Sequence, residues 1–437
     1  MSNFVNGFSK KKKLEKIDWI ISNHFHNNKK AKDILFSYLN DDKSIQNLHD
    51  EFIENTITNF YLPFAVAPNF LINNKYYTVP MAIEESSIVA AASKTAKFWS
   101  KLGGFKTEVL SAEKVGQIHF FYNGPFKKIE SFFRKIKKDI IKDLNPITSN
   151  MEKRGGGISS LELIDMSEKI NCYYQIFAKF NTIDSMGANF INSCLEKVTE
   201  VFKFYIEEKK FLDGSSEKIN FLMSILSNYT PNCLVRASVN CKVDDLEKNN
   251  GGLKDKKFIQ NFIDAVKISK VDTFRAVTHN KGIMNGIDSV VIATGNDFRS
   301  VEAGIHSYAS KDGNYTGLSD AYIKNDIFYF DLTIPLSLGT VGGLTKLHPL
   351  VSWAHDLLGN PSANELMQII SAVGLAQNFA ALKSLVTTGI QKGHMKMHLL
   401  NILNQLGANQ IQKTRAVEYF KAKNVSYKNV REFLNKG

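Results

Sequence analysis

The sequence is poor in several features, and each shortage excludes something. Only four cysteines, Cys172, Cys194, Cys233 and Cys241, occur in 437 residues. They stand at no metal-ligand spacing and read as reduced, buried or incidental thiols, with no metal expected. No run approaches the roughly 20 apolar residues of a membrane helix. The opening MSNFVNGFSKKKK lacks the apolar centre of a signal peptide, so a cytoplasmic location with no membrane partner is expected. No GxGxxG follows a predicted strand, and no phosphate-binding GxxxxGK loop ending in Ser or Thr occurs. A Rossmann-type dinucleotide enzyme is therefore not supported. No internal repeat is visible.

What is present is an ordinary globular composition, 43% hydrophobic and 22% charged, in a chain long enough for two or three domains. The net charge of +12 is spread over many lysines. Only Lys10 to Lys13 and the 126–142 segment approach a basic stripe, so solvated faces are favoured over a nucleic-acid partner. Attraction of an anionic substrate ranks second.

Residues 14–60 read as helices. Leu62 to Phe70 is a compact run, Tyr76 to Pro80 a strand, and Ser86 to Trp99 a helix of small residues suited to close packing. From 113 to 210 the pattern changes. Val115 to Tyr122 alternates as a strand, and Phe126, Ile129, Phe132, Phe133, Ile136, Ile140 and Leu144 recur at helical spacing. Ser159 to Ile164 and Cys172 to Phe180 read as strands, and Met186 to Tyr205 as a helix. This is most of a ferredoxin-like β-α-β-β-α-β unit, with a boundary at Asp213 to Ser216. Further on, Asn325-Asp326 marks a hairpin, and Ser362 with Glu365 forms a capping box opening a helix through Leu385. The last fifty residues are polar helices with little core, able to move as a flap. The expected class is α/β (α+β). A large mixed domain comprises residues 1–110 and 216–388, a small ferredoxin-like domain residues 111–215, and a C-terminal helical flap residues 389–437.

Three segments are dense in residues used for chemistry. In Val79 to Ala90, Glu84 and Glu85 precede a helix; alone they are ordinary first-turn acids. In Phe274 to Arg299, polar residues and glycines flank the apolar, strand-like run Val290 to Ala293, and a function is favoured. The third joins Gly374 to Ala380 with Gly389 to Met395, where His394 alone is more often structural or solvated.

Together these stretches resemble the signatures of hydroxymethylglutaryl-coenzyme A reductases of the soluble, bacterial class. VPMAIEESSIVAAAS, DSMGANF, THNKGIMNGID, IATGNDFR, GLAQNFAA and GIQKGHM are similar to them in order and spacing, from about Leu62 to His398. The resemblance implies an oxidoreductase interconverting hydroxymethylglutaryl-coenzyme A with mevalonate and coenzyme A. It implies catalytic roles for Glu85, Lys281, Asp297 and His394, substrate contacts from Ser87, Asn228, Arg275 and Asn285, and cofactor contacts from Asp184, Met186, Gly187 and Asn189. It also implies a homodimer with the site at the subunit interface.

The chemistry fits these residue types. Each hydride attack puts negative charge on a carbonyl oxygen, which a fixed cation such as Lys281 stabilises. Asp297 is expected to hold that lysine. An imidazolium at His394 protonates the departing thiolate, Glu85 supplies a proton if burial raises its pKa, and Arg275 binds the substrate carboxylate. The cofactor is NADPH or NADH. The hydroxyls and lysines of the Asp143 to Lys153 stretch lean mildly to NADPH. The alternatives are a reductase of another acyl-coenzyme A thioester, or a non-enzymatic ferredoxin-like binding protein. The second lacks paired stacking aromatics in an RNP-like motif.

Overall fold

The computed structural model describes residues 4–249, 257–387, 399–420, 423 and 425–435. The chain divides into two compact units, Met1–Phe64 and Ala65–Gly437. The first carries α1 (Lys13–His24), α2 (Lys29–Ser37) and α3 (Lys43–Asp50). Asn28 caps α2 by accepting from the Lys30 N–H, and Asp42 caps α3 by accepting from Ser44 and Ile45. A Lys13–Asp50 ion pair at 2.7 Å links the first helix to the third.

The second unit opens with β1 (Phe64–Ile72), β2 (Lys75–Ala82), α4 (Ile88–Ser100) and β3 (Lys106–Val109). There follow β4 (Lys114–Tyr122), α5 (Phe126–Asp143), α6 (Asn145–Glu152), β5 (Gly157–Asp165), β6 (Tyr173–Asn181), α7 (Ala188–Glu208) and β7 (Ile219–Leu226). Then come β8 (Leu234–Lys242), α8 (Val243–Asn249), α9 (Lys257–Val271), α10 (Thr273–Ala293), α11 (Phe298–Ala309), β9 (Ser319–Lys324) and β10 (Ile327–Pro335). Helices α12 (Leu344–Leu347), α13 (Pro349–Leu357) and α14 (Ala363–Val386) complete it before the C-terminal segment.

Strands β5-β6-β4-β7 form one antiparallel sheet, the order 2-3-1-4 of the ferredoxin-like unit. Alternate residues Ile118, Phe120 and Tyr122 join Phe132, Phe133, Ile136, Leu195, Val198 and Phe202 in one core, so α5 and α7 cover a single face. The fourth strand lies beyond Asp213–Ser216, where the sequence reading ended the small domain. That polar turn connects α7 to β7 within the unit, so the sheet extends past residue 215.

A second four-stranded sheet runs β3-β8-β10-β9, also antiparallel. Val235, Ala237 and Val239 of β8 and Phe328, Phe330, Leu332 and Ile334 of β10 are buried, as period-two alternation requires. At the β9–β10 turn Asn325 and Asp326 have φ of 52° and 59°, the left-handed pair a two-residue hairpin needs.

Two further sequence readings change. Val290 to Ala293 is no strand but the last turn of the 21-residue α10. Its apolar residues are continuous because that end of the helix is buried on several sides. Helix α14, opened by the Ser362–Glu365 capping box, has a mean hydropathy of 1.4 over an 18-residue window, enough by composition for a membrane span. Two-thirds of that window (67%) is buried inside the protein, where a helix apolar all round forms the core. At the α10–α14 crossing a Cβ on Gly286 would lie 2.8 Å from the Val373 carbonyl, and one on Gly374 would lie 2.9 Å from Ile287. The two glycines let the backbones approach. The C-terminal segment has its own small core of Leu399, Leu403, Ala416, Phe420 and Val430.

Candidate functional site

Helix α10 carries the centre of the site. Lys281 Nζ donates to Glu85 Oε2 at 2.7 Å, joining two motifs 196 residues apart. The pair is open to solvent, with side-chain exposures of 59% for Lys281 and 37% for Glu85, so the burial on which the glutamate's acid role is conditional is only partial. Glu85 sits in the turn from β2 to α4, and the neighbouring Glu84 is exposed. The turn ends at Ser87, whose φ of 76° is unusual for a residue with a side chain. Ser87 is the N-cap of α4, yet its hydroxyl caps nothing. Such strain is characteristic of residues held for function. Asn285, one turn beyond Lys281, shares its face of α10.

Asp297 is placed differently from the expectation. Its carboxylate caps α11, accepting from the Arg299 and Ser300 N–H groups at 3.1 and 3.3 Å, and meets the Arg299 guanidinium at 3.0 Å. No ion pair joins it to Lys281 among the described residues, because Lys281 already pairs with Glu85 and Asp297 with a helix N-terminus and an arginine. Asn228 lies beside this cap, accepting from Ser300 Oγ at 2.9 Å. Arg275 is half-buried, and burial lowers its pKa. Six residues before Lys281, it stands about 240° round the helix, away from the Glu85 couple. Among the described residues it has no carboxylate at ion-pair distance. His394 lies outside the described residues.

The remaining motif residues explain themselves structurally. His279 is buried, bonded through Nε2 to Ser319 Oγ at 2.7 Å; burial, Arg275 and Lys270 push its pKa down to about 3, so the ring is neutral. Ser319 Oγ in turn donates to Asn378 Oδ1. The Asn280 amide donates to the Thr316 carbonyl, and its oxygen accepts from the Leu318 N–H. THN and GLAQN therefore tie α10 and α14 to the start of β9. Asn296 accepts from the Gly339 N–H at 2.8 Å.

One pair was not singled out from the sequence. Asp288, on the Lys281 helix, stands beside Glu302 of α11, and burial together with that second carboxylate pushes its pKa up to about 8. Asp288 belongs to the NGID motif, but nothing in the sequence joins it to a residue one helix further on.

The DSMGAN turn forms around Gly187, at φ 87°, where a Cβ would meet Thr182 at 2.4 Å. Gly187 precedes α7 with no side-chain cap, which leaves the helix's first N–H groups open, and Asn189 is exposed in its first turn. Met186 packs under Gly339, whose Cβ would stand 2.4 Å from the Met186 nitrogen. Asp184 points elsewhere: Oδ1 accepts from the Ala363 N–H at 2.8 Å, capping α14. Among the described residues no cluster of His, Cys, Asp and Glu is arranged to hold a metal ion.

This architecture matches known structures over nearly its whole length. A 3-hydroxy-3-methylglutaryl-coenzyme A reductase from Streptococcus pneumoniae superposes with a TM-score of 0.72 at 34% identity, covering 99% of each chain. The class II enzyme of that organism, in a structure bound to NADPH in open conformations, matches at 0.72 and 33%, covering 98% of this chain and 99% of that one. The reductase of Archaeoglobus fulgidus is 37% identical over 372 residues, 84% of this chain and 80% of the relative. The probable reductase of Borreliella burgdorferi is 35% identical over 371, covering 82% and 80%. Residues 15–399 match the hydroxymethylglutaryl-coenzyme A reductase family, and the chain belongs to it.

Proposed function

We propose that the protein reduces hydroxymethylglutaryl-coenzyme A to mevalonate and coenzyme A by two successive hydride transfers. The observation that carries this reading is the Lys281–Glu85 couple, which brings the EES and NKG motifs together on a solvent-open face. The nicotinamide cofactor supplies the hydride at each step. Lys281 stabilises the oxyanion formed at the thioester carbonyl and again at the aldehyde. His394 protonates the sulfur as the first product, a hemithioacetal, expels coenzyme A. Glu85 returns a proton to the alkoxide after the second hydride. Asp297 acts beside them from the α11 N-terminus, and Ser87, Asn228 and Asn285 position the substrate.

The open N-terminus of α7 after Gly187 fits a dinucleotide pyrophosphate, since unpaired N–H groups and the helix dipole favour an anion there. In this reading Met186, Gly187 and Asn189 line the cofactor, whereas Asp184 supports them through its bond to α14. NADPH is the preferred cofactor, and residues 111–215 with β7 form its domain. The protein acts as a homodimer in the cytoplasm. Ile268, Val271, Phe274 and Val277 form an exposed apolar face around Arg275, with Phe274 89% exposed, as an interface would require. Arg275, turned from its own Glu85, reaches the substrate carboxylate of the other subunit.

The test is turnover of purified protein with hydroxymethylglutaryl-coenzyme A, followed by nicotinamide absorbance. Two cofactors are consumed per mevalonate. A stoichiometry of one, with the aldehyde as end product, refutes the two-step reading.

A further inference from the structure

Lys114, the first residue of β4, is only 4% exposed. Its ammonium donates to Thr182 Oγ1 and the Ser185 carbonyl, each at 2.7 Å, and to the Leu338 carbonyl at 3.3 Å. All three acceptors are neutral. Two lie in the turn that leads from β6 into the DSMGAN segment, and the third lies in the loop after β10. Thr182 Oγ1 also donates to the Ser185 carbonyl, so the turn is wound about the lysine. The same loop is stitched to the turn beyond this point. The Thr340 N–H donates to the Asp184 carbonyl at 2.8 Å, and Gly339 covers Met186 while its own N–H reaches Asn296, the residue before Asp297.

A buried cation with no carboxylate in direct contact is costly. An apolar residue would satisfy β4 at less expense. The position is therefore explained by what the lysine joins: the small-domain sheet, the cofactor turn and the loop fastened to the Asp297 cap. We propose that Lys114 is a positioning residue that seats the 182–187 turn against the catalytic side of the site and so sets nicotinamide binding. This rests on the cofactor reading of the DSMGAN turn. Because each product needs two hydrides, the turn must receive a fresh cofactor twice per cycle, and looseness there acts on both steps.

The titratable groups facing Lys114 are Asp184 on the turn and Cys233 ahead of β8, whose thiol burial pushes up to about 11. Glu113, its chain neighbour, is paired with Lys179 at 3.3 Å. Burial lowers the Lys114 pKa to about 8, so the ammonium loses its proton just above neutrality.

The experiment compares wild type with Lys114→Met, of similar length but without donors, and with the milder Thr182→Val. Reduced-nicotinamide affinity is read by fluorescence titration without substrate, alongside KM for both substrates and near-neutral pH profiles. For Lys114→Met, the nicotinamide Kd and KM rise roughly tenfold to a hundredfold, the worth of a hydrogen bond to a charged group. The thioester KM stays within about twofold. In wild type the nicotinamide KM climbs as pH passes about 8, and in Lys114→Met that climb disappears. Thr182→Val moves in the same direction by less and serves if the methionine variant does not fold. Equal rises in both KM values, or an unchanged nicotinamide Kd in both variants, overturn the proposal. Wild-type protein that binds the nicotinamide but reduces no hydroxymethylglutaryl-coenzyme A refutes the proposed reaction and leaves the Lys114 result to be read from binding alone.

Discussion

Lys281→Ala separates catalysis from stability, and the structure allows both magnitudes to be worked. The lysine's ion pair is with Glu85, and both partners are substantially exposed, at 59% and 37%. Exposed pairs contribute about 0 to 1 kcal/mol, because water screens the attraction and two long side chains lose freedom. The truncation leaves no cavity at so open a position, so the unfolding free energy, measured by urea titration, changes by under about 1 kcal/mol. The effect on rate is different in kind. Removing a preorganised oxyanion stabiliser costs about 2.7 to 4 kcal/mol, or a hundredfold to a thousandfold in kcat. In the proposed mechanism the same ammonium serves both carbonyl reductions, so both the thioester reaction and the reduction of free mevaldehyde fall by that factor. The assay measures the two half-reactions side by side at saturating nicotinamide. A variant that folds and reduces mevaldehyde at a near-normal rate would falsify the oxyanion role. Loss of both activities together with a stability drop of several kcal/mol would show that the pair holds the fold.

His394→Gln cripples thioester reduction by about a hundredfold to ten-thousandfold but affects free mevaldehyde much less, because the aldehyde has no sulfur to expel; equal losses in parallel assays exclude the proton-donor role. Gly286→Ala forces a Cβ to within 2.8 Å of the Val373 carbonyl and destabilises the protein by about 1 to 3 kcal/mol, measured by urea unfolding; an unchanged midpoint means the helices separate without cost. Asp288 has a folded-state pKa pushed from 3.8 to about 8, so its stabilising contribution is fully present below about pH 4 and is lost as pH rises through about 8. Asp288→Asn removes the titrating group and with it that slope, so unfolding midpoints between about pH 6 and pH 9 fall in wild type more steeply than in the variant; parallel curves contradict the raised pKa. Phe274→Asp places a charge in the exposed apolar face and shifts a dimer toward monomer by analytical ultracentrifugation; an unaltered dimer moves the interface elsewhere.

Periodicity and capping carried much of the fold in the sequence itself. The alternation of Val115 to Tyr122, the helical spacing of Phe126 to Leu144, the Asn325-Asp326 turn and the Ser362–Glu365 box are local patterns, and local backbone physics resolves them. Glu85 and Lys281 stand in motif strings whose family resemblance marks them, whereas the residue pattern alone leaves Glu85 an ordinary first-turn acid. Where locality ended, so did legibility. Val290 to Ala293 has the composition of a strand, and only packing of α10 on α14 shows it to be helix. The fourth small-domain strand lies across a polar turn that looks like a boundary, and pairing with β4 decides its membership. The partners of Lys281, Asp297 and Asp184 depended on which groups lay near in space. Glu85 took the lysine, the α11 N-terminus took Asp297, and the α14 N-terminus took Asp184. Lys114 is one lysine among many in the sequence. It becomes distinctive only when three segments bury it, because the cost of removing a charge from water is set by tertiary contacts.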